Sequence, residues 1–88
     1  MGTVTAMEPP EIVPRSQTPP YRQIADWLRK GIEAGRWQPD EPLPSENDLI
    51  GMFGVARDTA RRAVQYLQDE GLVVIEPRRG VYLKRPEG

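Results

Sequence analysis

The chain has 88 residues, of which 38% are hydrophobic and 28% are charged, and it carries a formal net charge of −1 at pH 7. This length supports one small domain, and the longest unbroken apolar run, residues 72–75, is far shorter than the ~20 residues of a transmembrane helix. Because the chain has no cysteine and no histidine, disulfides, thiolate ligands and imidazole ligands or bases are excluded.

The first 20 residues hold five of the ten prolines and show no apolar periodicity, so residues 1–20 are predicted to form a flexible tail. From Tyr21 onward, apolar side chains recur at positions 21, 24, 25, 28 and 32. That spacing is one face of a helix, and Gly35 marks its end.

Residues 36–44 contain three prolines and are predicted to form an extended connector. Ser45 then stands at the N-cap of a second helix, where it can form a capping box with Asp48 in place of the usual Glu or Gln. This helix is predicted to run to about Phe53, and Gly54 can take the left-handed conformation that ends it. A third helix beginning at Ala56 or Arg57 completes a helix-turn-helix.

The third helix is predicted to end at Gly71 and to face the core along one stripe of helical spacing. The residues of this stripe are Thr59, Ala60, Ala63, Val64 and Leu67. Two β-rich runs follow, at residues 72–76 and 81–84, and they are separated by the turn Pro77-Arg78-Arg79-Gly80. The order predicts an α+β winged helix-turn-helix over residues 21–85, with 86–88 as a C-terminal end.

Positive charge is concentrated in the last part of the chain. Residues 1–54 hold five basic and eight acidic side chains, whereas residues 55–85 hold seven basic and four acidic ones. This division favours a surface that binds a polyanion. An uneven scatter of solvated charges is the alternative interpretation.

The core stripe leaves Arg57, Asp58, Arg61 and Arg62 on the outward side of the third helix. Arg57 and Arg61 lie four residues apart and therefore share one side of it. A helix fits the major groove of DNA, where Arg can donate two hydrogen bonds to guanine, so residues 57–70 are a candidate recognition helix. As an alternative, these are solvated surface charges that include an Asp58–Arg62 pair.

The wing, residues 76–81, carries Arg78 and Arg79, which could reach an adjacent minor groove. The alternative is that these two charges only keep an exposed turn soluble. Acid–base or divalent-cation chemistry is also left open by four carboxylates, those of Asp40, Glu41, Glu46 and Asp48, although capping and solvated-loop roles explain them as well. We expect no catalytic residue, no metal and no cofactor.

Residues 21–83 resemble the DNA-binding domain of GntR-type transcriptional regulators. The resemblance rests on points in register along the whole span: Ile32 to Gly35, Leu43 to Glu46, Gly54 with Val55, Arg57 with Thr59 and Arg61, Leu67 with Gly71 and Leu72, and Gly80. It implies that Arg57 and Arg61 read guanine edges, that Ser45 and Thr59 cap helices or contact the DNA backbone, and that Gly80 is the wing-tip glycine.

The chain departs from the family pattern at several of these positions. Ala56 stands where relatives usually have Ser or Thr, Asn47 where Arg is common, and Arg62 where Glu is frequent. Asp58 brings an acid to the outward face, and Arg78 takes the place of a second wing glycine. The predicted DNA-binding residues are Ser45, Glu46, Asn47, Ala56, Arg57, Asp58, Thr59, Arg61, Arg62, Arg78, Arg79 and Gly80.

The predicted function is sequence-specific binding of double-stranded DNA by a transcriptional regulator that represses by occlusion. Alternatives are a winged-helix module for protein–protein interaction and an isolated fragment of a longer, metabolite-responsive regulator. We expect a palindromic or repeated operator, with recognition helices about 34 Å apart, and at most a weak homodimer that forms on DNA. No small-molecule effector and no membrane are expected for this chain. With no secretory signal, we predict a cytoplasmic protein that is associated with the nucleoid when bound.

Overall fold

A computed structural model describes residues 9–84 and contains three helices followed by a two-stranded antiparallel sheet. The elements are α1 (Pro20–Glu33), α2 (Glu46–Phe53), α3 (Arg57–Asp69), β1 (Val73–Glu76) and β2 (Gly80–Leu83). The predicted winged helix-turn-helix is therefore confirmed. Predictions for residues 1–8 and 85–88, including the C-terminal end, lie outside the described residues. Within residues 9–84, none of the helices combines the length and apolar character needed to cross a bilayer.

The start of α2 has the capping box that the sequence predicts. The Ser45 hydroxyl accepts a hydrogen bond from the Asp48 amide at 3.1 Å, and the Asp48 carboxylate accepts one from the Ser45 amide at 3.0 Å. Two amide groups at the helix start are thereby satisfied. At the other end, Gly54 takes a φ of 66°, and its amide donates to the Ile50 carbonyl at 2.8 Å. This left-handed residue turns the chain toward α3 within three residues.

The core lies between α1 and α3, with α2 and the sheet closing its sides. Its buried side chains are Ile24, Ala25, Trp27, Leu28, Leu43, Leu49, Ala60, Ala63, Val64, Leu67, Val73 and Val81. Ala60 and Ala63 are completely buried, and these small side chains let α3 approach its neighbours closely. Thr59, which is predicted to face the core, is only half-buried, because it lies at the edge of the stripe.

The connector before α2 is not helical, as the prolines predict, but it is not extended throughout, because the Glu41 amide donates to the Gln38 carbonyl at 3.0 Å and closes a turn over residues 38–41. The end of the connector pairs with the sheet. The Leu43 amide donates to the Val81 carbonyl at 2.7 Å, and the two residues form an isolated antiparallel bridge. Leu43 is itself buried in the core. The wing is therefore attached to the segment that leads into α2.

Part of the predicted tail follows a defined path beside α1. The Gln23 side chain accepts a hydrogen bond from the Val13 amide at 3.0 Å, and it donates to the carbonyls of Val13 at 2.9 Å and Thr18 at 2.8 Å. Ile12 packs against the core cluster. The sequence does not predict these contacts, and helix α1 also begins one residue early, at Pro20. Flexibility of residues 1–20 as a whole stays a prediction.

The wing is a hairpin whose strands pair from Val73 with Leu83 to Glu76 with Gly80. Relative to the prediction, β1 starts one residue later and β2 lies one residue earlier. The Arg79 amide donates to the Glu76 carbonyl at 3.0 Å, which closes the turn. Arg78 has a φ of 68°, a left-handed conformation that costs an ordinary residue roughly 1–2 kcal/mol.

Replacement of Arg78 by glycine should stabilise the domain. We expect Arg78→Gly to raise the free energy of unfolding by about 1 kcal/mol, because glycine adopts positive φ without steric cost. Urea denaturation followed by circular dichroism measures the change. Arg79→Gly is the matched control, since Arg78 is the one non-glycine residue with positive φ in the described range, and we expect no gain there. Equal stabilisation of both variants would contradict the explanation.

Candidate nucleic-acid interface

Helix α3 presents its charged side chains on the face opposite the core. Ala60, Ala63, Val64 and Leu67 are buried, whereas Arg57, Asp58, Arg61 and Arg62 are exposed. The predicted division of this helix into a packed stripe and a charged outer face is therefore confirmed. An exposed helix with several guanidinium groups can enter a groove of DNA.

Glu46, the first residue of α2, joins two of these arginines. Its carboxylate oxygens lie 3.6 Å from Arg57 Nη1 and 3.3 Å from Arg61 Nε. The arginine side chains remain about half exposed, at 55% and 49%, whereas that of Glu46 is 31% exposed. One carboxylate thus holds two guanidinium groups side by side on the exposed face of α3. Such exposed ion pairs stabilise the fold by only about 0–1 kcal/mol each, so their main effect is orientation.

A groove, which we call the wing groove, runs between the start of α2, helix α3 and the hairpin turn. Seven of the predicted residues line it: Ser45, Glu46, Asn47, Arg57, Arg78, Arg79 and Gly80. Val64, Ile75 and Val81 contribute apolar side chains to the same groove. Arg61 does not line the groove, but it contacts Glu46, which does. The fold therefore brings residues from three separate parts of the sequence onto one surface.

Three other predicted residues lie on the opposite side of α3. Asp58, Thr59 and Arg62 line a second groove, the α1 groove, together with Pro19, Pro20 and Tyr21. The guanidinium carbon of Arg62 lies 4.8 Å from the centre of the Tyr21 ring. The salt bridges among residues 9–84 do not include the Asp58–Arg62 pair that we considered as an alternative. Tyr21, which did not enter the predicted site, is thus in direct contact with it.

Ala56 forms the N-cap of α3 and supplies no side-chain hydrogen bond. Its carbonyl accepts from the amides of Thr59 and Ala60 at 3.1 and 3.2 Å. With Thr59, Ala56 adjoins a third groove, between the α2–α3 turn and residues 9–14. A helix start carries positive partial charge from its amide groups, and alanine adds no polar side chain to cover them.

The two arginines of the hairpin turn have different surroundings. Arg79 Nη1 lies 3.6 Å from a carboxylate oxygen of Glu76, and the Arg79 side chain is 72% exposed. Arg78 is also exposed, and no carboxylate within the described residues forms a salt bridge with it. The turn therefore places two guanidinium groups at the outer end of the wing groove, which makes that end basic.

Comparison with known proteins identifies relatives over this same span. The profile described as "Bacterial regulatory proteins, gntR family" matches residues 20–83. The HTH-type transcriptional repressor NagR of Bacillus subtilis (strain 168) is 40% identical over 73 residues, which cover 83% of this chain and 30% of NagR. YtrA from Sulfolobus acidocaldarius, a GntR-family transcription factor, has a TM-score of 0.76 at 39% identity, covering 88% of this chain and 81% of that one.

A structure of AraR(DBD) in complex with operator ORE1 is also similar. Its TM-score is 0.68 at 33% identity, over 72% of this chain and 77% of that one. The chain spans at most about a third of the length of the curated relatives that it matches. The profile match contains all three helices and both strands, so sequence similarity and fold describe the same domain. The chain belongs to the GntR family of bacterial regulatory proteins.

Proposed function

We propose that this chain binds double-stranded DNA sequence-specifically and regulates transcription, acting as a repressor by occluding its operator. The observation that carries the proposal is the pair Arg57 and Arg61, held side by side by Glu46 on the exposed face of α3. The similarity to NagR, which is named a transcriptional repressor, and to AraR(DBD) in complex with an operator supports it.

Arg57 and Arg61 are proposed to read base edges in the major groove. Guanine presents O6 and N7 there as two acceptors, which match the forked donors of a guanidinium group. Arg61 contacts Glu46 through Nε, so its two terminal nitrogens can still donate to a base. Because Glu46 fixes both side chains before DNA arrives, less conformational freedom is lost on binding, where each immobilised side chain costs about 0.5–1.5 kcal/mol.

Seven of the other predicted residues are proposed to contact the DNA backbone or the minor groove. Ser45 and Asn47 lie at the start of α2 on the wing groove, where amide groups and polar side chains can donate to phosphate oxygens. Ala56 and Thr59 flank the start of α3, whose amides suit the same role. Arg78 and Arg79 would enter the minor groove beside the site, with Gly80 allowing close approach of the backbone.

The proposed partner is a palindromic or repeated operator bound by two copies of the chain. Their recognition helices would lie about 34 Å apart, one turn of DNA, and the homodimer would be weak away from DNA. For the chain itself we propose no effector and no catalytic role, in keeping with relatives that are named as a transcriptional repressor and a transcription factor. Its proposed location is the cytoplasm, on the nucleoid when bound.

Selection of bound duplexes from a random DNA pool tests this function, followed by a salt titration on the enriched site. We expect a consensus rich in inverted or direct half-sites. Each phosphate that the protein neutralises should contribute about −0.9 to the slope of a plot of the logarithm of the observed association constant against the logarithm of the salt concentration. Failure to enrich any sequence, or binding that does not depend on salt, would refute the proposal.

A further inference from the structure

We propose that Arg62 contacts a phosphate of the DNA backbone on the side of α3 away from the wing, and that Tyr21 is the positioning residue that holds its guanidinium group there. This inference rests on the proposed DNA-binding function. It assigns a role to the α1 groove and adds Tyr21 to the interface.

Two tyrosines and two arginines form a continuous series of contacts that ends at this groove. The guanidinium carbon of Arg62 lies 4.8 Å from the Tyr21 ring centre, and that of Arg22 lies 4.5 Å from the Tyr66 ring centre. The two rings meet edge to face, with centres 6.1 Å apart. Both tyrosines are half-buried and pack against the core, whereas Arg62 is exposed. Arg62 therefore rests on a ring whose position the core fixes.

The Tyr21 ring orients Arg62 without neutralising its charge. Arg57 and Arg61 share the Glu46 carboxylate, and Arg79 contacts that of Glu76. Among the described residues, Arg62 forms no such salt bridge. Attraction to a ring face uses the positive charge but none of the N–H donors of the guanidinium group. Those donors and the full charge are available to an anion.

The position of Arg62 on α3 selects the DNA backbone as that anion. Arg57 lies on the wing groove, while Arg62 lies on the α1 groove on the other side of the same helix. A helix seated in a major groove about 12 Å wide has a wall of phosphates on each side. When Arg57 and Arg61 face the bases, Arg62 faces the wall opposite the wing. Asp58 lines the same groove and would repel a phosphate there, so the Arg62 charge also offsets that acid.

Fluorescence anisotropy on the full chain tests the inference with two labelled duplexes, the selected site and a scrambled sequence, over a range of salt concentrations. Arg62→Gln should weaken binding to both by a similar factor, about ten-fold, and reduce the steepness of the salt slope by about 0.9. Arg36→Gln is the matched control, because Arg36 also stacks on an aromatic ring, 5.8 Å from that of Trp37, but lies outside α3. We expect little change for this control.

Variants of Tyr21 test the positioning role separately. Tyr21→Leu should weaken binding about three-fold when Arg62 is present, in line with the modest size of an exposed cation–π contact. It should cause no further loss in the Arg62→Gln background. Tyr21→Phe keeps the ring and should restore binding close to that of the unchanged chain. Unfolding midpoints of all variants, measured in parallel, show that each is folded at the temperature of the assay.

The outcomes separate this inference from the proposed function. If the unchanged chain binds the selected site but Arg62→Gln alters neither affinity nor salt slope, the inference is wrong and the proposed function stands. A loss confined to the selected duplex would mean that Arg62 reads a base, which overturns the phosphate contact. Additive losses for Tyr21→Leu and Arg62→Gln, or equal losses for Tyr21→Phe and Tyr21→Leu, would overturn the positioning role. Arg62→Gln changes an exposed side chain, so its salt slope remains decisive even if Tyr21→Leu does not fold.

Discussion

Arg57→Ala and Arg61→Ala should each weaken binding to the selected DNA site by about 1–3 kcal/mol, the discrimination that a bidentate contact between Arg and guanine provides. Binding to a scrambled duplex should change much less, because base contacts supply little of the affinity for an arbitrary sequence. The two residues share the Glu46 carboxylate, so the loss in the double variant should differ from the sum of the single losses.

Equilibrium dissociation constants for both duplexes, measured by fluorescence anisotropy at one salt concentration, provide the check. Arg36→Ala removes a cation outside α3 and serves as the control for net charge. If Arg57→Ala and Arg61→Ala weaken binding to the scrambled duplex as much as binding to the selected site, the two side chains contact only phosphates. Our assignment of base reading to them would then be wrong.

Leu49 anchors helix α2 to the core of the domain. Leu49→Ala should lower the free energy of unfolding by about 3 kcal/mol, within the 2–5 kcal/mol range for such a cavity-forming change. Helix α2 lies wholly within the described residues and has one fully buried side chain, Leu49. Against a total stability of roughly 5–15 kcal/mol, this loss is large. It should also weaken DNA binding, because Glu46 on the same helix orients Arg57 and Arg61.

Urea denaturation measures the loss, and Met52→Ala is the matched control. Met52 is an apolar residue of the same helix but is 38% exposed, so its truncation should change the unfolding free energy by about 0.5 kcal/mol or less. Similar losses for the two variants would show that Leu49 does not anchor α2.

The local parts of this fold can be predicted from the sequence, because their determinants lie within a few residues of one another. Ser45 and Asp48 are three residues apart, and their spacing is enough to predict the capping box that the structure contains. The contact of Gln23 with Val13 and the bridge between Leu43 and Val81 cannot be predicted in this way. They depend on how separate segments pack, and no short pattern in the sequence encodes that packing.

In the candidate site, too, local features can be predicted from the sequence, and contacts between distant segments cannot. The helical period predicts that Arg57 and Arg61 share one side of α3, and the structure confirms this. The sequence predicts only that Glu46 belongs to the interface. Its pairing with both arginines depends on the angle between α2 and α3, which no local pattern specifies. For Arg62, the sequence suggests Asp58, its neighbour one turn earlier, as a partner. The packing of α1 against α3 instead brings the Tyr21 ring beneath it.

The bridge between Leu43 and Val81 also bears on which partner changes shape during binding. Val81 belongs to the wing, and Leu43 precedes the capping residue of α2 by only two positions. The two walls of the wing groove are thus joined by backbone hydrogen bonding and cannot readily separate. We expect the groove to keep its width, so that any adjustment needed on binding falls on the DNA. The energy of such an adjustment depends on base sequence, so base pairs that no side chain touches would then also contribute to operator choice.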